Sequence, residues 1–189
     1  MLDSLLQTDK EILIYLNNLG SSNFDGFWLA ITNQFNWSPL FVLLIFLSFY
    51  KLGAKKGLFT LIFIVLLVAF SDQFTNLVKN ATERLRPCNT LELKGLLRDF
   101  TYKPKGYSFW SGHASLSMTV TVFLVSLLRD RFTWIYLLFI FPLLFGYSRI
   151  YLGVHYPFDV LSGYVSGLVI GTLLFMLYKY LFSFVFREK

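Results

Sequence analysis

Five apolar runs govern what this chain can fold into. Residues 38–49, 57–78, 114–128, 132–147 and 157–182 carry only Asp72, Asp159 and Lys179 as charges. Crossing the hydrocarbon core of a bilayer takes about 20 predominantly apolar residues, and several of these runs approach or exceed that length. Composition agrees: 56% of the 189 residues are hydrophobic and 15% charged, too little polar surface to cover a soluble domain of this size. The expected fold is all-α, a polytopic transmembrane helix bundle of five to six spans forming a single domain over residues 1–189.

The ends and connections refine that picture. In residues 1–19, Leu2, Leu5, Leu6, Ile12, Leu13 and Leu16 recur at helical spacing between Asp3, Asp9, Lys10 and Glu11. This reads as an amphipathic helix lying in the interface, too polar to span. Residues 1–36 together form the N-terminal interfacial segment, or a sixth span if they cross. The start lacks a basic stretch followed by an apolar core, so no cleavable signal is expected. The connections 51–56 and 129–131 suit tight turns between antiparallel helices. Residues 87–110 are long, polar and punctuated by proline and glycine, the composition of a cap over one membrane face.

Alternation of the spans carries the argument to function. If the 57–78 helix runs toward Lys79, then the 87–110 cap, Ser111-Gly112-His113, Ser148-Arg149 and His155 all fall on the same membrane face. That face also holds both histidines of the chain. Lys79, Arg86 and Arg149, taken singly, suit snorkelling anchors. Converging on one spot, they repel one another unless an anion sits between them, and arginine's planar fork matches phosphate oxygens. Ser111 and Gly112 open a helix, where free N–H groups and a hydroxyl face an anion; a plain N-cap is the simpler reading of the same residues. Asp159, four residues after His155, is placed to accept the Nδ1 proton from the same helical face and leave Nε2 as a nucleophile. The same pair, with His113, could instead ligate a metal, an arrangement that three neighbouring cations disfavour. The residues alone do not assign which histidine attacks.

Charge and cysteine narrow the partners. Seven of the 17 basic residues fall between Lys79 and Lys105, so the net charge of +6 points to an anionic headgroup rather than to nucleic acid. A lone cysteine, Cys88, excludes an internal disulfide and a cysteine-based zinc cluster. The face opposite the site carries Lys51, Lys55, Lys56, Arg129, Arg131, Lys179, Arg187 and Lys189, which marks it as cytoplasmic.

The motifs Lys79-x6-Arg86-Pro87, Ser111-Gly112-His113 and Ser148-Arg149-x5-His155-x3-Asp159 resemble the signature of the type 2 phosphatidate phosphatase superfamily. These are integral-membrane lipid phosphate phosphatases related to vanadium haloperoxidases. Every charged and nucleophilic position is present, in order; Trp110 stands where the family usually has proline. The resemblance implies a cofactor-free and metal-free phosphatase in which His155 attacks phosphorus and Asp159 orients it. His113 would then protonate the leaving oxygen and activate water, while Lys79, Arg86, Ser111, the Gly112 amide and Arg149 hold the phosphoryl group. The implied substrate is a phosphorylated membrane lipid: phosphatidate, phosphatidylglycerol phosphate, undecaprenyl diphosphate or a lipid A phosphate. The implied setting is a bacterial inner membrane with the site facing the periplasm. A lipid phosphotransferase would use the same residues, and a non-enzymatic lipid-binding or translocating protein would use the cations without the His155/Asp159 pair.

Overall fold

In the computed structural model, which describes residues 2–187, the chain forms seven α-helices. They are α1 (Leu2–Asn18), α2 (Ser22–Thr32), α3 (Ser38–Leu52), α4 (Ala54–Thr82), α5 (Gly112–Leu128), α6 (Ile140–Tyr151) and α7 (Pro157–Phe186), with α6 extended backward by a 3-10 stretch at Thr133–Phe139. Local chemistry sets the boundaries. Gly53, at φ 75°, breaks α3 from α4, so the hairpin turn is tighter than the 51–56 connection expected from sequence. Pro157 opens α7 at a position that needs no amide donor.

Four segments are long and apolar enough to cross a membrane: Gln34–Leu52, Ala54–Thr82, Thr133–Tyr151 and Pro157–Phe186; α5 is a fifth, shorter apolar helix. Neither α1 nor α2 joins them, so among the described residues no sixth segment is long and apolar enough to cross. Helix α5 is the hub. It is buried on almost every face, enclosed by α3, α4, α6 and α7 rather than by lipid, and so does not need the length of a lipid-facing span.

The most extensive helix pairing is α5 with α7, and a stripe of glycines explains it. A Cβ on Gly163, Gly167 or Gly171 would sit 2.7, 2.5 or 2.8 Å from the carbonyl oxygens of Ser111, Ser115 and Thr119. Without side chains there, the two backbones touch, the small-residue packing that substitutes for hydrophobic drive inside a membrane. The Ser111 amide then donates to the Asp159 carbonyl at 3.0 Å, which fixes the start of α5 against the start of α7.

Helix α1 is amphipathic as the sequence implies, but its docked stripe differs from the apolar one. The fully buried positions are Asp9, Leu13 and Asn17, while Leu5, Leu6 and Ile12 are exposed. Asn17 donates to the Tyr151 carbonyl at 2.7 Å and accepts from the Arg98 amide at 2.8 Å. Polar residues that suggest a wetted face are what fasten α1 to the bundle.

Candidate active site

The turn between α6 and α7 builds the third motif. Gly153, at φ 64°, reverses the chain after α6, and the amides of Val154 and His155 both donate to the Arg149 carbonyl, at 3.0 and 3.3 Å. The five-residue spacing from Arg149 to His155 is thus one closed turn that folds the imidazole back over the arginine. His155 precedes α7 rather than lying on it, which corrects the expectation that His155 and Asp159 share a helical face. Asp159 sits in the first turn of α7 and accepts from the Tyr156 amide at 3.0 Å.

The first motif reaches the same point from α4. Lys79 lies in its last turn and Glu83 ends it in a left-handed conformation, after which the chain extends to Arg86. The two ends of the α4–α5 connection are pinned together: the Ser108 amide donates to the Arg84 carbonyl at 2.7 Å, and Arg86 Nε donates to the Gly106 carbonyl at 3.2 Å. Arg86 Nη1 then reaches the Val154 carbonyl at 3.2 Å and His155 Nε2 at 2.9 Å.

Arg149 is only 1% exposed. Its Nη1 donates to Thr32 Oγ1 at 2.5 Å and both terminal nitrogens point at the Tyr102 hydroxyl, at 3.4 and 3.3 Å, while Nε has no partner. Ser111, the N-cap of α5, makes no side-chain capping bond, and its buried Oγ is likewise unpartnered. A Cβ added to Gly112 would lie 3.6 Å from Lys79 Nζ, so the lysine stands directly over the opening of α5. His113 packs its ring 4.9 Å from Phe145 and feels the charges of Arg149, Lys79 and Arg86. Among the described residues, Lys79, Arg86 and Arg149 form no ion pair with a carboxylate.

His155 is fully enclosed. Burial first, and then the charges of Arg149, Arg86 and Lys79, push its pKa well below the ordinary imidazole value, so the ring is neutral and keeps a lone pair. All eight sequence-selected residues therefore meet: Lys79, Arg86, Ser111, Gly112, His113, Arg149, His155 and Asp159. The arrangement offers an anion three unpaired cations, a hydroxyl and a helix N-terminus, with an imidazole nitrogen among them.

Sequence reasoning missed a second layer. Arg84 donates through Nη1 to Asp159 Oδ1 at 2.6 Å and through Nη2 to Asp9 Oδ2 at 2.7 Å, while its guanidinium lies 3.9 Å above the Tyr156 ring. Asp9 also accepts from the Phe158 amide at 2.9 Å. Ser108 and Tyr102 join the site from the α4–α5 connection and Thr32 from the end of α2. Arg84 lies inside the first motif's spacing, which was its only sequence signal; for the others the contact depends on chain closure.

Beneath His113 and Lys79 a groove of about 530 Å³ descends between α3, α4, α5 and α6. Gln34, Asp72 and Thr75 line its upper part, and Leu44, Val68 and Phe141 are among the apolar residues that line it. Its shape and polarity suit a molecule with an anionic head and a hydrocarbon tail.

Residues 57–183 match the family model for the PAP2 superfamily. The chain belongs to the PAP2 superfamily. The matched stretch contains all three motifs but neither Asp9 nor Thr32, so α1 and α2 add contacts from outside it. Within this superfamily the chain is 29% identical over 173 residues to a lipid A 4'-phosphatase of Bacteroides thetaiotaomicron, an alignment covering 88% of this chain and 75% of the relative. It is 34% identical over 134 residues to an undecaprenyl-diphosphatase of Sulfolobus acidocaldarius, covering 71% of this chain and 59% of the relative. The fold of this PAP2 protein is shared with the crystal structure of a transmembrane PAP2-type phosphatidylglycerolphosphate phosphatase from Bacillus subtilis. That likeness has a TM-score of 0.74 at 21% identity and covers 94% of this chain and 87% of the other.

Proposed function

We propose that this lipid phosphate phosphatase cleaves its substrate through a phosphohistidine at His155, without a metal, and that its substrate is a membrane lipid carrying a terminal phosphate. The observation that carries the reading is the neutral His155 Nε2 set among cations that lack counter-charges, one of which, Lys79, also lines the largely apolar groove with Gly112 and His113. An arriving phosphate takes over Arg86, Arg149, Lys79 and the idle Ser111 hydroxyl, with the Gly112 amide at the α5 N-terminus. Arg86 leaves His155 for a phosphate oxygen and frees the Nε2 lone pair.

Nε2 then attacks phosphorus while the phosphorus–oxygen bond to the lipid breaks, and His113 gives its proton to the departing oxygen. In the second half, His113 takes a proton from water, the resulting hydroxide attacks phosphorus, and the phosphorus–nitrogen bond breaks to release inorganic phosphate. The 87–110 segment acts as a cap, supplying Tyr102 and Ser108 after Arg86, and the whole chain serves as one phosphatase domain. The basic residues on the opposite face favour a site facing the periplasm from a bacterial inner membrane.

Similarity over most of the chain to a lipid A 4'-phosphatase makes a lipid A phosphate the first substrate to test. Detergent-solubilised protein is assayed in EDTA against lipid A, undecaprenyl diphosphate, phosphatidate and phosphatidylglycerol phosphate. We expect phosphate release from at least one, led by lipid A, and none from His155→Ala. Activity that vanishes with EDTA and returns with a divalent ion contradicts the metal-free mechanism.

A further inference from the structure

His155 and Asp159 approach each other loosely and share a third partner. Their nearest approach, Nδ1 to Oδ2, is 3.5 Å, and a third side chain bridges them. The Ser108 hydroxyl donates to Asp159 Oδ2 and lies 3.3 Å from His155 Nδ1. Ser108 is fully buried, so no solvent competes for these contacts.

Counting protons settles what each nitrogen carries. A serine hydroxyl has one hydrogen, and Asp159 takes it. Ser108 then has only lone pairs to offer His155, so Nδ1 must be the protonated nitrogen. On the far side of the ring, Nε2 faces Arg86 Nη1 at 2.9 Å. A guanidinium can only donate, so Nε2 must hold the lone pair. Two contacts from different segments select the same tautomer, the one that nucleophilic attack requires.

Asp159 is otherwise occupied. Oδ1 accepts from Arg84 and Oδ2 from the Tyr156 amide, so its charge is compensated before it reaches the imidazole. Arg84 also accepts, through its carbonyl, from the Ser108 amide at 2.7 Å, and so holds both the serine and the aspartate.

We propose that Ser108 is a positioning residue for His155, and that an orienting chain His155–Ser108–Asp159–Arg84 runs beside the looser direct approach of histidine and aspartate. This rests on His155 being the nucleophile. The Ser108 main chain is also within hydrogen-bonding reach of His155, so the test removes the hydroxyl and leaves the backbone.

The chain has two histidines, which makes the tautomer directly readable. Protein labelled with ¹⁵N-histidine, with His113 assigned through a His113→Asn variant, gives long-range ¹H–¹⁵N correlations that distinguish Nδ1–H from Nε2–H. In the wild type we expect Nδ1–H at His155. In Ser108→Ala, where only Arg86 still selects the tautomer, we expect the Nδ1–H form to fall to part of a mixture, with kcat lowered about tenfold to hundredfold, the range for a buried partner left unsatisfied, and KM changed less than kcat. Ser108→Thr, which retains the hydroxyl, is expected to recover most of kcat and the Nδ1–H signal. A Ser108→Ala protein with the wild-type tautomer and wild-type kcat overturns the proposal and assigns the role to the backbone carbonyl. The spectrum needs no turnover. Absence of a wild-type phosphoenzyme therefore strikes the nucleophile assignment, whereas an unchanged tautomer strikes the role of Ser108.

Discussion

The two sides of His155 differ in how their polar groups are satisfied. Behind it, Asp159, Arg84, Asp9 and Ser108 form a closed network in which both carboxylates pair with Arg84 and the backbone amides of Tyr156 and Phe158 complete them. In front, Ser111 Oγ and Arg149 Nε have no partner, and Arg149 rests on the neutral hydroxyls of Thr32 and Tyr102. A protein that gained stability from its front would have supplied carboxylates there. Buried polar groups left unmatched cost stability, which fits the proposed role of the front in receiving a phosphate and of the back in holding the front in place.

That contrast can be broken from either side, and the back has the larger expected effect. Arg84→Ala leaves two buried carboxylates facing each other's network without a cation, so we expect a loss of about 3–5 kcal/mol in unfolding stability, read by thermal denaturation in detergent. Retained stability in that variant denies the back its structural role. On the front, Arg149→Ala is expected to lower kcat/KM by about 10²–10³, as for other groups that stabilise transition-state charge, while the melting temperature holds or rises because a mutually repelling cation is gone. A large drop in melting temperature instead shows that Arg149 belongs with the back.

Smaller effects sharpen the comparison. Gly167→Ala forces a methyl group toward the Ser115 carbonyl and is expected to cost about 1–3 kcal/mol by overpacking, with kcat falling as α5 and α7 move apart. Finally, His155 titrates on the side the contrast requires. Its folded pKa lies below the unfolded value, so the neutral form is favoured in the fold, and the stability it contributes is present above the ordinary imidazole pKa of about 6.5 and is lost as pH falls below it. The NMR signal of His155 in the substrate-free protein is expected to stay neutral on passing through that pH. A midpoint at or above 6.5 contradicts the electrostatic picture of the front.

The front was largely legible in the sequence and the back was not. Lys79, Arg86, Arg149 and both histidines announce themselves because charge is scarce beside apolar spans, and alternation of the spans places them together. Asp9 and Asn17 carry the opposite signal: on an amphipathic helix, polar residues read as the wetted face, and only docking against α7 and the 87–110 segment reveals them as anchors. Ser108 is one hydroxyl among many, and its role arises when the two ends of that segment close on each other. The glycines at 163, 167 and 171 recur every four residues in the sequence but went unread there; their close approach to α5 shows in the structure. The relation of His155 to Asp159 was misplaced because helical spacing was assumed between them, whereas α7 begins only at Pro157 and leaves His155 in the preceding turn.

The central claim, that the neutral His155 takes the phosphoryl group, is tested most directly by rapid acid-free quenching of protein turning over a ³²P-labelled lipid phosphate in EDTA, followed by peptide mapping. The account predicts an acid-labile, alkali-stable label on the peptide containing His155, absent from His155→Ala. A catalytically active protein that never carries the label, or that carries it equally in His155→Ala, contradicts it.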